Sequence, residues 1–167
     1  LIALGVVGWS GSGKTTLVTQ LIPAFMRRGL RVSTVKHAHH DLTFDRPGKD
    51  SFRHAEAGAE EVILAAGGRF GLFSRHGGGL DALLERLAPV DLVLVEGFKS
   101  YPGLPKLEVY RPGVGDGPLF RHMEVLAVAS DAALADCPVP VLDINAPEIV
   151  TDFLFDALGL ERARAKE

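Results

Sequence analysis

A single cysteine, Cys137, stands in 167 residues, so the chain has no internal disulfide, which fits a reducing cytosol. Its place ahead of Pro138 suits a small buried filler. A cationic surplus is also missing. Eighteen Lys and Arg face 21 Asp and Glu, a net charge of -3 with a pI near 6.1. That balance argues against a nucleic-acid surface as the main business of the chain. No apolar run reaches membrane-spanning length, because Gly8 and then polar residues interrupt the first one. A basic, small-residue-terminated signal sequence is absent too. Because position 1 is Leu rather than Met, a few residues are expected to precede it. Internal repeats and low-complexity tracts are lacking. These absences leave a soluble, cytoplasmic chain with neither nucleic acid nor membrane among its expected partners. What is present is a 47% apolar share with 23% charged residues, enough for a full core. The length suits one compact domain over residues 1–167.

Leu1 to Val7 is a short apolar run ended by Gly8, the pattern of a buried parallel strand. From Lys14 to Arg28 the spacing becomes helical, with Leu17, Leu21 and Phe25 in one row and Val18, Ile22 and Met26 in the next. Gly29 suits the helix end, and Pro23 is expected to kink the helix. Leu30 to Lys36 reads as a second strand, followed by a polar loop from His37 to Lys49. A short helix is expected from Asp50 to Ala57, then strands at Glu61 to Ala66 and Arg69 to Ser74. Gly77-Gly78-Gly79 opens another helix, with Leu80, Leu83, Leu84 and Leu87 on one face. Strands follow at Val90 to Val95, Pro105 to Tyr110, Val125 to Ala129 and Val139 to Leu142. A closing helix is expected from Pro147 to Leu158. Arg111 to Arg121, with three glycines and two prolines, reads as a mobile loop within an extended β/loop excursion around residues 100–122. Strands alternating with helices imply an α/β fold, its mostly parallel sheet covered by helices on both faces.

Four segments carry chemistry. The run Gly8-Trp9-Ser10-Gly11-Ser12-Gly13-Lys14-Thr15 has the Gly-x4-Gly-Lys-Thr spacing of a phosphate-binding loop, between a strand and an amphipathic helix. Its glycines let backbone N–H groups turn toward phosphate oxygens, and the helix N-terminus adds partial positive charge. Lys14 can reach the β- and γ-phosphates and the Thr15 hydroxyl can bind Mg²⁺. The strand Asp91 to Val95 delivers Glu96 to the sheet edge where ligands of open α/β sheets bind. A carboxylate there can hold Mg²⁺ or orient an attacking water, and Gly97 allows close backbone approach. Asp91 lies at the other end of the strand, too far to share the site.

The third segment, Lys36-His37-Ala38-His39-His40-Asp41, continues to Pro47-Gly48-Lys49-Asp50-Ser51 and Arg53-His54. Its histidines admit two readings, ligands of Zn²⁺ or a polar loop that orders around a γ-phosphate or substrate. Asp50 is a further candidate for the Mg²⁺ site, while Asp50 or Ser51 equally suits a helix cap. The fourth is Ser130-Asp131, past a late strand expected beside the strand of the glycine-rich loop. The Asp131 carboxylate either accepts N1–H and N2–H of guanine or caps a helix after it.

Together these segments resemble the GTP-binding adapter family of molybdopterin-guanine dinucleotide biosynthesis. The resemblance runs over nearly the whole chain. It is carried by GWSGSGKTTL at Gly8 to Leu17, VKHAHHD at Val35 to Asp41, PGKDSFRHAEAGA at Pro47 to Ala59 and LVEGFK at Leu94 to Lys99. It implies a P-loop NTPase-like three-layer fold, GTP and Mg²⁺ as cofactors, and slow hydrolysis by the isolated protein. The implied partners are the guanylyltransferase that joins GMP to molybdopterin, molybdopterin itself or a molybdoenzyme chaperone, and a second copy in a homodimer. Ser10, Gly11, Ser12, Gly13, Lys14, Thr15 and Thr16 match the phosphate loop, Glu96 the acid after the buried strand, and Asp131 the base-reading position. Lys14 and Glu96 are the catalytic candidates; Thr15, Glu96 and Asp50 are the metal candidates. Two departures stand out. Position 9 is Trp rather than the Lys of dimeric ATPases in the same broad class, and Ser130-Asp131 lacks the Asn-Lys-x-Asp of ordinary GTPases. The rival readings are an ATP-dependent small-molecule kinase or ligase, and a nucleotide-dependent scaffold that never turns over.

Overall fold

The computed structural model describes residues 1–38 and 45–161. They fall into two compact units, one of residues 1–37 with 86 onward, the other of residues 38–85.

The first unit holds strands β1 (Ile2–Val7), β2 (Val32–Lys36), β5 (Leu92–Glu96), β6 (Lys106–Tyr110), β7 (Ala127–Ser130) and β8 (Val141–Asp143). The second holds β3 (Glu61–Ala66) and β4 (Arg69–Ser74), with helices α2 (Asp50–Glu56) and α3 (Leu80–Glu85). Helices α1 (Lys14–Arg27) and α4 (Pro147–Ala157) belong to the first unit.

Six strands of the first unit form one sheet in the order β2-β5-β1-β6-β7-β8, and every pairing in it is parallel. Parallel central strands must be apolar on both faces, and β1, β5 and β7 are. Leu4, Val6, Leu92, Leu94, Leu107, Val109, Ala127 and Ala129 form one core with α1 and α4. There α1 contributes Leu17, Leu21 and Phe25, and α4 contributes Val150 and Leu154. The opposite face is buried as well, partly under Leu104 and the short 3-10 helix Leu119–Arg121. The chain is thus an α/β protein with a mostly parallel sheet in a P-loop NTPase-like arrangement.

Several expectations need adjusting. Met26 is 59% exposed, so the second apolar row of α1 is not buried along its length. Residues 100–122 belong to the first unit and contain β6, an interior strand between β1 and β7. The segment that clusters separately is 38–85. Because β6 intervenes, β7 is not beside β1. Cys137 is only half-buried.

Two arginine clusters brace the first unit away from the ligand edge. Arg27, the last residue of α1, and its C-cap Arg28 pair with Glu148 and Asp152 of α4. At the N-terminal end of β5, Asp91 accepts the Arg31 backbone N–H at 2.7 Å and its guanidinium at 3.3 Å. Those Arg31 bonds hold the Asp91 carboxyl below its usual pKa. Asp91 is therefore structural, as its position along the strand implies.

Candidate functional site

The glycine-rich loop leaves β1 at Gly8 and enters α1 at Lys14. Gly8 has φ +150°, and a Cβ there would lie 2.3 Å from the Val109 carbonyl oxygen. Only glycine lets the loop turn this close to β6. At the other end Gly13, with φ 102°, occupies the N-cap position of α1. No acid sits in the first turn of α1, so its positive end is uncompensated from within. Ser10, Gly11, Thr15 and Thr16 are exposed at the mouth of the loop. Ser12 turns inward instead: it is 1% exposed, and its Oγ has no hydrogen-bond partner.

Lys14 reaches back across the loop, donating from Nζ to the Gly8 carbonyl at 3.0 Å and the Trp9 carbonyl at 2.7 Å. Burial holds its pKa below the usual lysine value; Glu96 opposes this, and the charges of Lys99 and Lys36 add to it.

Strand β5 lies beside β1 and delivers Glu96 to the same edge. Thr15 donates its hydroxyl proton to Glu96 Oε1 at 2.7 Å, across 81 residues of sequence. Lys36 ends β2 in register with Glu96, and its ammonium lies 3.3 Å from that Oε1 and 3.2 Å from Thr15 Oγ1. Two hard oxygens within one coordination sphere, with a cation against both, suit a divalent ion such as Mg²⁺. Here the cation is the Lys36 ammonium. Lys36 opens the third chemistry-bearing segment, but a role for it beside Glu96 comes only from the register of β2 with β5.

After Glu96 the chain turns sharply. Gly97 has φ 101° and Phe98, a non-glycine, has φ 49°. Such backbone strain in an L residue clusters at functional sites. Gly97 is needed here because a Cβ would meet His37 Cβ at 2.9 Å. The Phe98 and His37 rings lie 4.6 Å apart. His39, His40 and Asp41 lie outside the described residues. Among the described residues, no group of three His, Cys, Asp or Glu could hold a metal ion.

Asp131 follows β7 at the same sheet edge, where its Oδ2 pairs with Arg111 Nε at 3.1 Å. No helix follows it before α4, and it is Ser130 Oγ that accepts the nearby Ala132 N–H at 3.2 Å. The helix-cap reading of Asp131 is therefore set aside. Asp50 is the first residue of α2 in the second unit, while Thr15 and Glu96 belong to the first. Neither Asp50 nor Ser51 caps α2: the N-cap residue is Lys49, and the Ser51 hydroxyl bonds Asp45.

A parallel sheet whose first strand runs through a glycine-rich loop into a helix, with Lys14, Thr15 and Glu96 gathered at that loop, defines a P-loop NTPase-like α/β protein. The model of the family described as molybdopterin guanine dinucleotide synthesis protein B matches residues 3–131. Two relatives, each named a molybdopterin-guanine dinucleotide biosynthesis adapter protein, are similar along most of their length. The one from Escherichia coli K12 is 41% identical over 92% of this chain and 91% of its own. The one from Haemophilus influenzae is 43% identical over 90% and 86%. A crystal structure of a MobB protein homolog from Bacillus stearothermophilus superposes with a TM-score of 0.69 at 28% identity, covering 95% of this chain and 99% of that one. The chain belongs to the molybdopterin guanine dinucleotide synthesis protein B family.

Proposed function

We propose that this protein is a GTP-binding accessory protein with weak GTPase activity that assists attachment of GMP to molybdopterin. The observation that carries the reading is the meeting of Thr15, Glu96 and Lys36 beside the open glycine-rich loop. The N–H groups of the loop and Lys14 hold the phosphates. Thr15 and Glu96 hold Mg²⁺, which when bound neutralises charge on the phosphate oxygens. Glu96 in addition positions the attacking water. Among the described residues, Glu96 is the acid that meets Thr15 and Lys36. Hydrolysis by the isolated protein is slow, and the partner is the guanylyltransferase.

Guanine preference falls to Asp131. Its carboxylate is oriented by Arg111, and it offers acceptors that match guanine N1–H and N2–H but not adenine. Two strands separate β7 and β5, with β1 and β6 between them, so base and metal ends of the site lie apart along one edge.

The working form is a homodimer. The hairpin of β3 and β4 leaves Ile63, Leu64 and Phe70 at 63%, 59% and 73% exposure. A groove of about 610 Å³ beside it is lined by Phe52, Val62, Leu72 and Phe73. An isolated two-stranded hairpin with this much bare apolar surface gains stability from a second copy.

The test is competition of GTP and ATP for pure protein with Mg²⁺, followed for phosphate release. Tighter GTP binding, by about five- to a hundredfold, with slow release and no acceptor, is expected. ATP preference with labelling of an acceptor overturns the reading in favour of a kinase, and binding of neither nucleotide overturns it outright.

A further inference from the structure

The nucleotide reading leaves Trp9, Lys99 and the loop after Arg111 without a role, yet these three meet at the glycine-rich loop. Lys99 comes three residues after Glu96, where the left-handed pair Gly97 and Phe98 turns the chain. Its ammonium rests 4.5 Å from the centroid of the Trp9 ring. Among the described residues no carboxylate pairs with it. The indole also packs against the loop after Arg111: a Cβ on Gly115 would lie 2.1 Å from Trp9 Cγ. The indole N–H donates to the Gly117 carbonyl at 2.6 Å. Trp9 is thus held at its ring and at its nitrogen, beside Lys99. Its carbonyl also accepts Lys14 Nζ at 2.7 Å. One residue therefore places two ammonium groups, and the Lys99 charge is near enough to Lys14 to help depress its pKa.

We propose that Lys99 is a third phosphate-binding cation of this site and that Trp9 is the residue that positions it. The inference rests on the nucleotide reading and adds two specificity-determining residues to it. A partly exposed ammonium on an aromatic face gains only about two- to fivefold in an equilibrium. A charge-assisted hydrogen bond to phosphate is worth about ten- to a hundredfold. With its stem held on the ring, the Lys99 ammonium therefore turns its N–H donors to a triphosphate, and less to a diphosphate, which brings less charge to the loop mouth.

Calorimetric titration of GTP and GDP, each with Mg²⁺, tests this. Lys99→Met is expected to weaken GTP about tenfold, and GDP less than threefold. Trp9→Leu should weaken GTP about two- to fivefold although Lys99 is intact, and the double variant should bind no worse than Lys99→Met. Trp9→Phe keeps an aromatic platform and should stay within about threefold of wild type. Trp9 is the sole tryptophan, so GTP should change the intrinsic emission of the wild type and leave that of Lys99→Met nearly unchanged. Circular dichroism and melting of each variant separate loss of fold from loss of contact. Unchanged GTP affinity in a folded Lys99→Met, or losses that add in the double variant, overturns the inference alone. A wild type that binds neither nucleotide overturns the nucleotide reading beneath it.

Discussion

Replacing Glu96 by Gln keeps the side chain's shape and removes one charge, at a position only 12% exposed. Two contacts change. The Thr15 hydroxyl bond at 2.7 Å drops from charge-assisted to neutral, and the Lys36 ammonium at 3.3 Å loses its counter-charge. Lys36 is itself 58% exposed, so water replaces much of that attraction. We therefore expect folding stability to fall by no more than about 1 kcal/mol. The effect on chemistry is larger, because the same oxygen is the one offered to Mg²⁺ and to water. Losing one charged contact in the transition state costs about 2.7 kcal/mol, a hundredfold in rate. GTP affinity should change less than fivefold, since the loop N–H groups and Lys14 are untouched. The assay pairs calorimetric binding with single-turnover phosphate release across a Mg²⁺ titration. The variant should need more Mg²⁺ and turn over about a hundredfold more slowly. Equal losses in affinity and turnover, or no loss in either, would refute the assignment of Glu96.

Lys14→Ala should lower GTP affinity by about a hundredfold or more, with the melting temperature within a few degrees of wild type; unchanged affinity in calorimetry would mean that the loop is not a phosphate site. Glu108 is wholly buried on β6, where it accepts the N–H groups of Leu119 and Phe120, and burial raises its pKa above 4.5 against the pull of those bonds. The folded chain thus keeps that proton to higher pH than the unfolded chain. The stability of wild type relative to Glu108→Gln should be greatest below about pH 4.5 and fall as pH rises through the elevated pKa; a wild-type melting temperature that holds or rises against that of the variant with increasing pH contradicts this. Phe70→Asp should convert a dimer of twice 17.9 kDa into monomer in light scattering, and a wild type that is already monomeric when dilute defeats the dimer proposal.

Local signals were legible wherever a segment's neighbours in sequence decide its state. The strands Glu61–Ala66 and Arg69–Ser74 are delimited by glycines, and α1 by Gly13 and Gly29. Glu96 could be placed at the ligand edge because a wholly apolar strand leads to it. What sequence could not give was adjacency. That β6 separates β1 from β7 follows from packing of the whole sheet, and it moves Asp131 farther from the glycine-rich loop than expected. The Arg111 partner of Asp131 and the Lys99 partner of Trp9 are likewise made by the order of strands and loops. Nor could sequence give the direction of the Ser12 side chain, which is buried with its Oγ beside Gly8.

Gly8 and Gly11 read alike as members of one motif, yet the structure sets them very different terms. At Gly11, φ is +81° and nothing lies within 4 Å of a would-be Cβ. A short polar residue that tolerates the left-handed region, Asn or Asp, finds room there at a modest strain. At Gly8 any side chain collides with the backbone of a central strand, which no rotamer can relieve. In a saturation library of this loop, position 8 should therefore tolerate a single amino acid and position 11 a small set. The first glycine is fixed by the sheet behind it, whatever ligand the loop meets in front.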